Sequence, residues 1–115
     1  MANATLKSHN QTPRKVRLVA NLVKGKPVKS ALETLSFLPR RAAEPIAKLI
    51  KSAAANAKEK GEDVESLIVR SLTVESAGIL KKYMPRAFGR ASAIRRRKSR
   101  LTVTLSSAAS AKRNA

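Results

Sequence analysis

A chain of 115 residues with a formal net charge of +18 is large enough for one folded domain and too small for a two-domain enzyme. All seven acidic residues lie between Glu33 and Glu75, where Lys and Arg balance them, so the whole positive excess lies in the two flanking segments. Charge separated in this way predicts a large polyanionic partner, with nucleic acid as the first candidate. The absence of cysteine excludes disulfides and thiolate metal sites.

The chain has three aromatic residues, Phe37, Tyr83 and Phe88, so the core must be aliphatic. No stacking platform for single-stranded bases is evident, which argues against a recognition-motif or oligonucleotide-barrel fold. The N-terminus lacks the segments of a secretory signal, and the longest uncharged run, 101–111, is too short and too rich in Ser and Thr to cross a bilayer. We therefore expect a soluble cytoplasmic protein with no membrane partner.

The first predicted helix begins at Thr12-Pro13, because Thr can accept a hydrogen bond from the first turn and Pro at the first helical position loses none. It extends to about Lys24, and Gly25 is placed to end it in a left-handed cap. Helical spacing gives it one apolar face, formed by Val16, Val19, Ala20 and Val23. Three cations are left for solvent or a ligand: Arg14, Lys15 and Arg17.

Two more helices follow with the same periodicity. The second comes after Pro27 and stops near Leu38-Pro39, with an apolar face of Val28, Ala31, Leu32 and Leu35. The third covers roughly residues 40–60, with an apolar stripe of Ile46, Leu49, Ile50, Ala53, Ala54 and Ala57. Pro45 would remove a hydrogen bond inside this helix, so either the helix begins near Glu44 or its first turn is bent.

Beyond the turn at residues 61–63 the apolar residues alternate, which is typical of strands. In one strand Ile68, Leu72 and Val74 alternate with Val69, Ser71 and Thr73. In a later strand Leu101, Val103 and Leu105 alternate with Thr102 and Thr104. Antiparallel pairing of the two would make the segment between them go out and come back.

That connecting segment is the most basic part of the chain: nine of the 22 residues in 79–100 are Lys or Arg, and none is acidic. Its centre falls at Phe88-Gly89-Arg90, where Gly89 can adopt a turn conformation. An arm of about ten residues would project on the order of 30 Å. Because a two-stranded ribbon is marginally stable in water and its like charges repel, we expect it to be mobile when free and ordered inside nucleic acid.

Blander interpretations of the same segment are a solvated basic loop and, for Arg95-Arg96-Arg97-Lys98, a nuclear import signal. An ordinary solvated face mixes both signs of charge, which disfavours the first.

Nothing in the sequence indicates an enzyme. His9 has no identifiable acidic or nucleophilic partner, the acids of residues 59–65 lack the spacing of a calcium loop, and Gly25 lacks that of a phosphate-binding loop. We predict no catalytic residue, metal or cofactor.

Three segments resemble the L-twenty-two family of large-subunit ribosomal proteins: residues 13–20 (PRKVRLVA), 52–57 (SAAANA) and, above all, 84–91 (MPRAFGRA). They occur in the family's order and spacing within a match of roughly residues 5–105. The resemblance implies an α+β fold, with a small three-stranded antiparallel sheet packed by three helices and a long protruding basic β-hairpin. It also implies a strand over residues 5–9, which periodicity alone does not predict.

The resemblance further implies a structural constituent of the large ribosomal subunit that binds ribosomal RNA, supports its assembly and lines the nascent peptide exit tunnel with its hairpin. The partners would be ribosomal RNA, neighbouring large-subunit ribosomal proteins and the nascent peptide, with the protein a monomer within the ribosome. The RNA contacts implied in the hairpin are Lys81, Lys82, Arg86, Arg90, Arg95, Arg96, Arg97, Lys98 and Arg100, and the candidates on the first helix are Arg14, Lys15 and Arg17. The implied tunnel tip is Met84, Pro85, Arg86, Ala87, Phe88, Gly89 and Arg90.

We expect one domain over residues 1–115, with 1–76 and 101–106 as the globular core, 77–100 as the hairpin and 107–115 as a flexible tail. Apolar residues at 77–80 leave the strand register at the hairpin base open. An alternative of a different class is a DNA-architectural protein with a basic β-ribbon arm. Such arms usually work in dimers, whereas the helix stripes here are about what one small sheet would cover, which favours a monomer.

Overall fold

The computed structural model describes residues 2–85 and 87–107, which form three helices and one antiparallel sheet of three strands in the order β1-β3-β2. This arrangement confirms the predicted α+β class, including the strand that only the resemblance implied. The chain also contains two short 3-10 turns, Val64–Ser66 and Ala87–Gly89. The elements in chain order are β1 (Ala2–His9), α1 (Pro13–Val23), α2 (Val28–Phe37), α3 (Ala43–Glu59), β2 (Leu67–Pro85) and β3 (Ala91–Ser107).

The helix ends follow the predicted signals, with one exception. Gly25 has a φ of 77°, the left-handed conformation expected after α1, and its N–H donates to the carbonyl of Val69 at 2.8 Å. Among the described residues the Thr12 side chain accepts no capping hydrogen bond, so that prediction is wrong, and the Thr12 carbonyl instead accepts from the N–H of Val16 at 3.2 Å. Since α3 begins at Ala43, Pro45 lies in its first turn, where a backbone N–H would have no intrahelical partner.

The core is aliphatic and lies where the helices cover one face of the sheet. Directly paired residues share a face, so the register defines apolar rows across all three strands. α1 packs on β2 and β3, α3 packs on β1 and β3, and their buried side chains complete the core. The rows are Leu6–Leu101–Val74, Ala4–Val103–Leu72 and Ala2–Leu105–Val69.

β2 contains a bulge, and because of it the residues of this strand that face the core differ from those predicted. Val69 lies opposite Leu105 while Ser71 lies opposite Thr104, so Arg70 is an extra residue in the pairing. An extra residue reverses the alternation, and positions 67 and 69 therefore face the core before it and 72 and 74 after it. The predicted grouping of Ile68 with Leu72 and Val74 is wrong: Val69 is buried and Ile68 is only half-buried.

A second bulge lies at the base of the hairpin. Ser76 pairs with Ser99 and Gly78 with Lys98, which leaves Ala77 as the extra residue. β1 ends opposite Ser99, so beyond this point β2 and β3 pair only with each other. The molecule measures 63 × 25 × 25 Å, as expected for a long ribbon that projects from a small core.

The hairpin turns where the sequence predicts. Pro85 lies opposite Ala91, and the chain between them passes through Phe88 and Gly89, with φ values of 63° and 73°. At the other end, β3 extends to Ser107, which lies opposite Leu67, one residue into the predicted tail. Residues 108–115 of that tail lie outside the described residues.

Candidate nucleic-acid interface

The two-stranded part of the hairpin is basic on both of its faces. Gly78, Leu80 and Lys82 lie opposite Lys98, Arg96 and Ile94 on one face, and Ile79 and Lys81 lie opposite Arg97 and Arg95 on the other. Each face therefore presents three cations within a few residues. A ribbon lying on a flat anionic surface would need them on one side only. We define face A by its cations Lys82, Arg96 and Lys98, and face B by its cations Lys81, Arg95 and Arg97.

The cations of both faces are available to a ligand. Lys98 is half-buried and the other five are exposed. The predicted contact Arg100 is exposed too, but it lies opposite Glu75 in the register, so its charge is partly balanced within the sheet. Arg90 is exposed at the turn, and Arg86 lies outside the described residues.

The three cations predicted on α1 do not behave alike. Arg14 and Lys15 are exposed on the helix surface. The guanidinium of Arg17 donates from Nε and Nη2 to the carbonyl of Val74, at 3.3 and 2.9 Å. Arg17 therefore fastens α1 to β2 near the hairpin base, a structural contact that the sequence does not predict.

The described part of the hairpin tip exposes apolar side chains beside the cation Arg90. Phe88 is 100% exposed and Tyr83 is 69% exposed, while Met84 is also largely open to solvent. Phe88 holds a left-handed backbone conformation that non-glycine residues seldom adopt. The hairpin thus has two chemically different parts, a densely basic ribbon near the core and an end where exposed apolar side chains lie beside Arg90.

Several residues set aside in the sequence have local structural roles. The ring Nε2 of His9 lies 3.1 Å from Oε1 of Gln11. The Asp63 carboxylate accepts from the N–H of Glu65 at 3.1 Å and caps the short 3-10 turn. Asn56, within the SAAANA segment, donates from Nδ2 to the carbonyl of Asn3 at 2.9 Å and so ties α3 to β1.

Sequence reasoning missed two cations, Arg40 and Arg41, in the loop between α2 and α3. Both are exposed and line a groove with the cations of the hairpin base. They were counted as part of a neutral central segment, because acids elsewhere in that segment balance them in number. The signal that identifies them is their position in space, which charge counting along the chain does not contain.

A small α+β domain with a basic ribbon beyond its core belongs to the class of nucleic-acid-binding scaffold proteins. Over the described residues, no helix is both long enough and apolar enough to cross a membrane. The model of the family described as "Ribosomal protein L22p/L17e" matches residues 4–106. The chain belongs to this family, which confirms the resemblance seen in the sequence. A family of ribosomal proteins also supports the prediction of a non-catalytic protein.

Curated relatives named "Large ribosomal subunit protein uL22" match over nearly their whole length. The protein of Pelobacter propionicus is 48% identical over 106 residues, covering 91% of this chain and 96% of the relative. That of Herpetosiphon aurantiacus is 48% identical, covering 89% and 91%. That of Myxococcus xanthus is 44% identical over 110 residues, covering 93% and 96%.

Proposed function

We propose that this protein is a structural constituent of the large ribosomal subunit in the cytoplasm. In this proposal it binds ribosomal RNA, supports the assembly of that RNA and lines the nascent peptide exit tunnel with its hairpin tip. The observation that carries the proposal is the presence of three cations on each face of a ribbon only two strands wide. Phosphates on both sides of the ribbon would neutralise that charge, which is the environment inside folded RNA.

The different chemistry of Arg and Lys supports separate roles within this interface. Arg can contact phosphate through two parallel hydrogen bonds and can lie flat on a base, whereas Lys acts as a point charge. Arg95, Arg96 and Arg97 therefore position the RNA, and Lys81, Lys82 and Lys98 add neutralising charge. Arg14 and Lys15 extend the basic surface from the hairpin to α1.

The tip is proposed to face a different partner from the ribbon. Beside Arg90, the tip residues Met84 and Phe88 and the adjacent Tyr83 are exposed and uncharged, so phosphate alone would not recognise them. A nascent polypeptide passing the tip presents apolar and polar groups of the kind such a surface can contact. Together with Arg86 and Arg90, residues 84–90 are the proposed contribution to the tunnel wall.

Membership in a family of ribosomal proteins favours this function over a DNA-architectural one. Sedimentation of a cell lysate separates the two proposals. The ribosomal function predicts that the protein co-sediments with large subunits and is released from them by high salt. Recovery with the nucleoid, and absence from large subunits, would overturn it.

Direct binding provides a second test. Affinity for ribosomal RNA fragments should fall by about 0.7 to 0.9 log units per log unit of salt for each phosphate neutralised. With six cations engaged on the ribbon, the slope is expected to be about −4 to −5. A flat dependence on salt would contradict phosphate binding.

A further inference from the structure

A deep groove opens beside the base of the hairpin, where β1 ends and the edge of β3 is no longer covered. It has a volume of about 1260 Å³, larger than the roughly 300–1,000 Å³ of pockets that hold a small ligand. Its walls are the loop at residues 10–12, one side of α1, the loop at residues 38–42 and the hairpin base. The groove is thus built from four separate parts of the chain.

The charge of the groove has one sign. Eight of its eighteen lining residues are Lys or Arg, and none of the lining residues, all of them in the described part of the chain, is acidic. Arg40 and Arg41 stand on one side, and the hairpin base supplies Lys82 and the four consecutive cations Arg95, Arg96, Arg97 and Lys98 on the other. Cations that converge on one space from both sides favour a polyanion inside it.

The groove is not uniformly polar, and this feature restricts its occupant. Leu18, Leu22 and Leu80 line it and are 66%, 46% and 48% exposed, so large aliphatic surfaces face the open space. Paired RNA presents phosphates, riboses and base edges, and burying them against leucine would leave polar groups without partners. An unpaired nucleotide carries both a phosphate and an apolar base face. It can therefore contact the cations of the groove and its leucine side chains at the same time.

We infer that this groove binds an unpaired nucleotide of RNA, with its base against Leu18, Leu22 and Leu80 and its phosphates against the surrounding cations. The inference rests on the proposed function and specifies one partner of that interface. The protein thereby distinguishes a looped or bulged RNA segment from a continuous duplex.

The chain offers a matched pair of variants for the test. Leu80 and Ile79 are adjacent and equally exposed, at 48% each, but Leu80 lines the groove and Ile79 does not. The full-length protein is titrated with an RNA stem-loop carrying a short adenosine bulge and with the same stem-loop lacking it. We expect about a five-fold preference for the bulged RNA, the low end of what a base stacked on an aromatic side chain contributes, because leucine offers contact area without a π-face. Leu80→Asn should abolish the preference and Ile79→Asn should retain it.

Leu18→Asn provides a second, independent variant on α1 and should also abolish the preference. Equal binding of both RNAs by the wild type, or equal effects of Leu80→Asn and Ile79→Asn, would overturn the inference. A polyglutamate peptide that competes with bulged RNA better on the wild type than on Leu80→Asn would indicate an acidic protein segment instead, and would also overturn it. Binding that depends on salt but does not prefer the bulged RNA contradicts only this inference. Binding that does not depend on salt contradicts the proposed function itself.

Discussion

Removing the three cations from one face of the hairpin at a time tests whether RNA contacts both faces. One variant carries Gln in place of Lys82, Arg96 and Lys98, and the other carries Gln in place of Lys81, Arg95 and Arg97. Each lowers the formal net charge of +18 by three. A control with the same loss of charge on the exposed surface of α3 replaces Lys48, Lys51 and Lys58 with Gln.

The expected magnitude follows from the count of phosphates. Six contacts predict that wild-type affinity falls by about 300-fold to 2,000-fold between 50 and 200 mM salt, and three contacts predict only about 20-fold to 40-fold. Each face variant should therefore reduce the magnitude of the wild-type salt slope by about 2 to 3, the share of three phosphate contacts. The α3 control should retain the wild-type slope, because its lysines lie away from the ribbon.

The assay is a fluorescence titration of a ribosomal RNA fragment at several salt concentrations. The slope is the better readout than affinity at one salt, because removing cations also relieves repulsion within the ribbon. If one face variant reduced the magnitude of the slope and the other left it unchanged, the ribbon would lie on RNA by a single face. Equal loss in the α3 control would mean that net charge alone governs binding, and the assigned interface would be wrong.

Three further variants test the fold. Leu105→Ala, at a fully buried position in the middle strand, should lower the free energy of unfolding by about 2–5 kcal/mol, measured by urea titration, and no loss would contradict the assigned core. Gly25→Ala places a side chain on a backbone with a φ of 77° and should cost about 1–2 kcal/mol, with Gly25→Asn costing less in the same assay. Replacing residues 82–94 with Asn-Gly joins the direct partners Lys81 and Arg95 through a two-residue turn, and should shift the thermal midpoint by no more than about 5 °C while weakening RNA binding. A shortened chain that does not fold would contradict the division into core and hairpin.

The helices were predictable because their signals are local. Pro13, Gly25 and the apolar spacing of α1 and α3 depend only on neighbours within two turns, and the structure places these elements within a few residues of the prediction. The same holds for the inner part of β3, where Leu101, Val103 and Leu105 are buried and Thr102 and Thr104 only half-buried. Local periodicity is therefore enough to predict an uninterrupted helix or strand that packs on the core by one face.

Apart from the Thr12 cap, the features that sequence reasoning missed depend on distant partners. Nothing near Arg70 in the sequence marks a bulge, because the extra residue exists only relative to the pairing with β3. β1 alternates the small residues Ala2 and Ala4 with polar ones, a weak pattern that becomes a strand only beside a formed edge. Arg17 and Arg40 likewise take their roles from positions reached through the fold, at Val74 and in the groove.

The strand register shows where the charge pairs across β2 and β3 change from favourable to unfavourable. At the inner side of the Ala77 bulge, Glu75 lies opposite Arg100, an arrangement of opposite charges that favours pairing. On the outer side, Lys81 lies directly opposite Arg95, and like charges in this position destabilise a ribbon. No third strand or helix stripe covers the ribbon there to offset the repulsion within the described residues. Like charges placed opposite each other in one short segment favour the proposed polyanionic partner, whose phosphates would offset the repulsion.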